Sequence, residues 1–129
     1  MKEILIDTNI YSYALKGDPD TVSVLKTMTL IGISSISIGE LLSGFRGGTR
    51  EKENRKELEE FLDSPRVRTY SIDEDTAEFY AEILNELRSK GTPLPTNDIW
   101  IASVALQKGL PLYSRDPHFR QIQGLVLVP

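Results

Sequence analysis

The chain contains no cysteine, which excludes disulfides, thiol catalysis and cysteine-held metals and suits a reducing, cytoplasmic compartment. Its single histidine, His118, removes multi-histidine zinc sites and argues against a histidine-centred catalytic triad. No apolar stretch approaches the roughly 20 residues that a membrane-spanning helix needs. The first residues also lack the pattern of a signal peptide. Lysine and arginine (15) are outnumbered by aspartate and glutamate (19), and the net charge of -4 argues against a general nucleic-acid coat. Repeats, low-complexity tracts and linkers are absent too. A chain of 129 residues, 40% hydrophobic and 26% charged, is therefore expected to form one domain over residues 1–129.

What the sequence does have begins at Ile4-Leu5-Ile6, a continuous apolar run that stops at Asp7-Thr8-Asn9. Apolar residues without alternation mark a strand buried on both faces, as in a parallel sheet. The polar trio then sits at the carboxyl end of that strand, the edge where open α/β sheets bind ligands.

Further elements follow in alternation. The pattern predicts a helix over 9–16 capped by Thr8 or Asn9, and a second capped by Asp18 or Asp20. A strand at 31–34, a helix over 38–46 and a charged helix over about 50–63 come next. Then come a strand at 67–72 and a helix over 73–89 with Ala77, Tyr80, Ala81, Leu84 and Leu87 as its inner stripe. An almost wholly apolar helix runs from Asn97 to Gln107, with Trp100 in the core, and strands follow at 110–113 and 125–128. Strands alternating with helices give a three-layer α/β/α domain with a mostly parallel sheet.

That topology selects four acids. Asp7 ends the first strand; Glu40 lies early in the helix leaving the second strand. Asp98 starts the helix that returns to the fourth strand, and Asp116 lies just beyond that strand. All four fall on the carboxyl edge. Each has a structural reading as well: Asp7-Thr8-Asn9 as helix cap, Ser37 with Glu40 as capping box, Asp98 as a dipole partner and Asp116 as a turn residue. Their convergence is what points to chemistry. Carboxylates gathered without basic partners repel one another unless a cation joins them, and hard divalent cations prefer oxygen. A cation held there can orient a phosphodiester and activate water, so metal-assisted hydrolysis of a nucleic acid is the indicated reaction class.

The segments ILIDTNIYSY, SSISIGELLSGF, PTNDIWIASVAL and LYSRDPHF, which carry these acids, resemble the PIN-domain family, and within it the VapC-type toxins of prokaryotic toxin–antitoxin pairs. The resemblance spans essentially the whole chain. It implies a five-stranded sheet of order 3-2-1-4-5 and Mg²⁺- or Mn²⁺-dependent endoribonuclease activity. It also implies a homodimer and inhibition by a small antitoxin protein. In this family's pattern Asp7 and Asp98 are the principal metal ligands, with Glu40 and Asp116 completing the site. Asn9 and Ser114 match supporting polar positions, the latter often threonine in the family.

Arg46, Arg50, Arg115 and Arg120 are the candidate RNA-phosphate contacts. His118 has readings as a base-stacking group, a proton relay or a loop-packing residue. Tyr11, Leu41, Leu42 and Phe45 are candidates for an antitoxin groove, with core packing as their other reading. Two rivals remain. One is a phosphatase or phosphotransferase with Asp7 as nucleophile, which usually needs an acid where Asn9 stands. The other is a catalytically silent PIN-like module that binds RNA or protein.

Overall fold

Leucine and isoleucine at 4–6 form the centre of the protein. The computed structural model describes residues 2–129, and in it β1 (Glu3–Ile6) is flanked in parallel by β2 (Leu30–Ser34) and β4 (Leu112–Tyr113). β3 (Val67–Tyr70) adds beyond β2, giving the order β3-β2-β1-β4. Alternate side chains of a strand point to opposite faces. Ile4 and Ile6 accordingly enter one core cluster and Leu5 the other, and all three are buried. This is the expected three-layer α/β/α arrangement. The expected fifth strand is reduced to a single parallel bridge, Leu112 to Leu127, supported by Val128 N donating to Leu112 O at 2.9 Å. β4 spans only two residues because Pro111, just before it, has no N–H to donate, and so short a strand offers its outer neighbour room for one bridge.

On the Ile4/Ile6 face lie α1 (Thr8–Leu15), α2 (Pro19–Lys26), α3 (Ser35–Arg46) and α4 (Glu51–Leu62). Tyr11 and Leu41, candidates for a partner groove, are core residues here at 2% and 6% exposure. Leu42 and Phe45 pack half-buried against the same cluster. On the Leu5 face lie α5 (Glu74–Lys90) and α6 (Thr96–Lys108). Gly32 of β2 faces this second layer, where a Cβ would stand 2.7 Å from the Tyr70 ring; only glycine lets that ring lie over the strand.

The start of α5 is tied to the end of α6: Thr76, fully buried, bonds Gln107, and Gln107 Nε2 donates to Asp73 at 3.0 Å. The two helices are therefore antiparallel. Because α6 must lead into a strand parallel to β1, it starts at the carboxyl rim and descends. This docking also sets which face of α5 is inside. Ala77 and Ala81, expected on the stripe, are exposed, and the buried positions are Thr76, Ile83 and Leu87. Trp100 is half-buried rather than core, stacked on Tyr80 with ring centroids 4.0 Å apart.

The observed face of α5 is tested by two substitutions. Ile83→Ala should cost about 2–4 kcal/mol in urea unfolding, the usual loss for a buried large-to-small change. Ala81→Ser should stay within about 0.5 kcal/mol. The reverse order would place the stripe on Ala77 and Ala81 after all.

Candidate functional site

Asp7 follows β1 directly and is 7% exposed. It is itself the N-cap of α1, a role expected of Thr8 or Asn9: its Oδ1 accepts from Thr8 N at 2.8 Å. Its Oδ2 accepts from Ser114 Oγ at 2.8 Å, and Ser114 Oγ in turn accepts from Asp116 N at 3.0 Å. Ser114 thus ties the first acid to the last.

Glu40 stands in the second turn of α3, because that helix starts earlier than expected. Its N-cap is Ser34, whose hydroxyl accepts from Ser37 N, so Ser37 and Glu40 do not form a capping box. Glu40 reaches instead toward α1 and α6. Its Oε1 lies 2.6 Å from Thr8 Oγ1, and its Oε2 accepts from Asn97 Nδ2 at 3.3 Å. The Thr8 hydroxyl has one hydrogen, which goes to the carboxylate; its 2.9 Å contact with the Ser37 hydroxyl then runs the other way.

Asp98 lies in the first turn of α6. Asp116 caps the 3₁₀ turn Pro117–Gln121, its Oδ1 accepting from His118 N at 2.9 Å and approached by His118 Nδ1 at 2.7 Å.

The donors that hold the acids are therefore Thr8, Ser114, Asn97 and His118. Ser114 was legible in the sequence. Asn9 is exposed on α1 and is not among the donors. The side chains of Thr8 and Asn97 each neighbour an acid in sequence but serve a different one, Glu40, a cross-chain pairing with no local signal.

Asp98 feels the charges of the other three acids, and Asp7 those of Glu40 and Asp116. Burial pushes the Asp98 carboxyl up to about 6, reinforced by the charges of Asp7, Asp116 and Glu40 and opposed by His118. Burial also raises Asp7, against the hydrogen bonds from Ser114 and Thr8 and with help from Glu40 and Asp116. Among the described residues no lysine or arginine forms an ion pair with any of the four acids. Among the described residues, no three acidic or histidine side chains already converge tightly enough to enclose an ion. An open, all-oxygen set with unrelieved negative charge is nevertheless what Mg²⁺ requires, since it takes one or two carboxylates directly and keeps several waters. The donor set fits such an ion.

Basic residues lie outside this set. Arg115 is committed elsewhere: its guanidinium pairs with Asp18, bonds Thr21 Oγ1 at 3.0 Å and lies 4.2 Å from the Tyr13 ring centre. Arg50 pairs with Glu53, and Arg46 lies 3.6 Å from Glu51. Arg120 is exposed and, with Asp116, lines a cleft of about 530 Å³. A second cleft of about 650 Å³ runs along α3 past Glu40 and Asn97. A third, about 640 Å³, opens at the opposite rim near Lys2 and Lys108 and contains none of the four acids.

These features have counterparts in known proteins. A family model for the PIN domain matches residues 4–125. Ribonuclease VapC2 of Rickettsia felis is 30% identical over 128 residues, covering 95% of this chain and 94% of its own. Ribonuclease VapC4 of Mycobacterium tuberculosis is 26% identical over 130 residues, covering 99% and 97%. The structure of VapBC2 from Rickettsia felis bound to a promoter DNA fragment superposes with a TM-score of 0.89 at 29% identity, covering 98% of this chain and 97% of the other. VapBC-1 from nontypeable Haemophilus influenzae gives 0.87 at 25% identity, covering 98% and 96%. With the family pattern running from β1 to the last residues of the sheet, the chain belongs to the PIN-domain family, in its VapC branch.

Proposed function

We propose that this chain is a divalent-metal-dependent endoribonuclease, the toxin of a type II toxin–antitoxin pair, acting at Asp7, Glu40, Asp98 and Asp116. The observation that carries the reading is the rim itself: four carboxylates, three of them held by directed donors, with no lysine or arginine among the described residues ion-paired to any of the four. Asp7 and Asp98 are the principal ligands; Glu40 and Asp116 complete the site directly or through water. When bound, Mg²⁺ or Mn²⁺ supplies Lewis acidity to the scissile phosphate and lowers the pKa of water. Ser114 and the Thr8 amide fix the two oxygens of Asp7, while Thr8 and Asn97 fix those of Glu40, so the acids meet substrate without reorganising.

The clefts on either side of the acids suit an extended RNA strand. Arg120 is the proposed phosphate contact on one side, and Arg46, beside a small cleft on α3, on the other. Arg50 and Arg115 serve α4 and the α1–α2 corner. The relatives solved as VapBC complexes support a cognate antitoxin as partner, and by the same family reading the protein acts in the cytoplasm as a homodimer. No helix among the described residues is long and apolar enough to cross a membrane.

Purified protein should cleave RNA with Mg²⁺ or Mn²⁺ and stop with EDTA. Asp7→Asn and Asp98→Asn should each lower cleavage by more than about 100-fold, above the 10–100-fold typical of losing an outer partner of a metal. RNA ends sequenced after brief expression, wild type beside Asp7→Asn, test the activity and identify the target together. Persistent cleavage by both variants would sink the assignment; no cleavage of any RNA by wild type would favour a silent binding module.

The raised Asp98 carboxyl gives a second test in metal-free protein. The folded state keeps that proton to about pH 6 while the unfolded chain releases it near 4, so the stability it contributes is full below 4 and lost as pH rises through 6. Asp98→Asn should therefore raise the melting temperature by a few degrees at pH 7 and leave it unchanged near pH 4.

Arg120→Ala should weaken binding of uncleaved RNA uniformly across sequences and reduce the slope of log affinity against log salt by about 1. Arg115→Ala should instead lower stability, because its partners are protein groups.

A further inference from the structure

We infer that His118 is a positioning residue for Asp116, holding one carboxylate oxygen so that the other is presented to the rim. The inference rests on the four-acid reading of the site.

Asp116 Oδ1 receives two contacts from the same residue, the His118 backbone N at 2.9 Å and the ring Nδ1 at 2.7 Å. The backbone contact is an ordinary cap of the 3₁₀ turn and would form with any side chain at 118. The ring contact is additional. The loop does not need it for folding: Phe119 is 1% exposed and Ile122 4%, so the core anchors the segment from below. Asp116 N is bonded to Ser114 Oγ at the other end. The imidazole itself is 64% exposed and packs against little. What it does contact is a rim acid.

An ionised carboxylate can only accept, so the hydrogen of this contact is on Nδ1. That nitrogen is consequently unavailable as a metal ligand, and His118 acts through Asp116. Both contacts fall on Oδ1, which leaves Oδ2 for the rim. Two of the other rim acids are also held by donors, there at both oxygens. Asp7 is held by Thr8 and Ser114, and Glu40 by Thr8 and Asn97, all neutral donors that fix direction without cancelling charge. His118 supplies for Asp116 what those residues supply for the others. Partners of this kind orient metal-binding groups and typically change metal affinity by about 10–100-fold when lost.

Mn²⁺ affinity, read from the EPR signal of free Mn²⁺ without RNA, tests this apart from cleavage. His118→Ala should bind Mn²⁺ about 10-fold more weakly with a melting temperature near that of wild type. His118→Asn, whose amide N–H can stand where Nδ1–H stood, should recover most of the loss, and His118→Gln should not. In an Asp116→Asn background, His118→Ala should change Mn²⁺ affinity no further. Unchanged affinity in His118→Ala, or an equal further loss in the Asp116→Asn background, overturns the inference while leaving the four-acid site standing. Wild-type protein that binds no Mn²⁺ overturns both.

Discussion

Everything at the rim depends on one electrostatic constraint: four carboxylates must stay near one another with no lysine or arginine among the described residues ion-paired to them. Had an arginine closed the set, the acids would form a satisfied ion-pair cluster with no call for a cation. Instead the partners are a threonine, a serine, an asparagine, a histidine and a backbone amide. Such donors satisfy lone pairs and fix direction while leaving the charge in place. Burial first, and then the charges of the neighbouring acids, raise the carboxyls of Asp7 and Asp98. That cost is carried by the rest of the molecule, above all by a central strand with no exposed apolar atom of consequence at 4–6.

The topology that supplies this core also supplies the geometry. Parallel strands send every carboxyl end to one rim, and α1, α3 and α6 begin at that rim. Asp7 caps α1 and Asp98 lies in the first turn of α6, so the positive ends of two helix dipoles offset part of the repulsion. Glu40 lacks that benefit, sitting a turn further along α3. It is also the acid gripped at both oxygens by side chains of other elements. Where the backbone does not help, side chains do.

The four acids were legible because each stands at a place that chain order alone defines: the end of a strand or the start of a helix. The buried ILI run and the parallel sheet were legible for the same local reason. Three features were not. The inner face of α5 turned on which residues α6 would meet, and the Thr76–Gln107 contact chose Ile83 over Ala81 although both lie at helical spacing with Leu87 or Leu84. The supporting residues around Glu40 come from 32 and 57 positions away, which no local pattern announces. The outer strand depended on how far β4 could extend past Pro111, which is a matter of ladder length rather than of composition.

The two arginines of the 114–120 loop show how environment divides identical chemistry. Arg115 meets Asp18 and the Tyr13 ring, partners from the opposite end of the chain, and becomes a clamp. Arg120, five residues on, is exposed and lines, together with Arg115, the cleft beside Asp116. Such segregation has a consequence for a polyanionic substrate. The acidic rim repels phosphate as strongly as it repels itself, so flanking arginines can retain a strand near the site but cannot seat its scissile phosphate among carboxylates. A divalent cation removes both repulsions at once, the one within the protein and the one against the substrate. On the proposed reading metal dependence would already be a property of substrate placement, before any bond is broken, because no lysine or arginine among the described residues is ion-paired to the four acids.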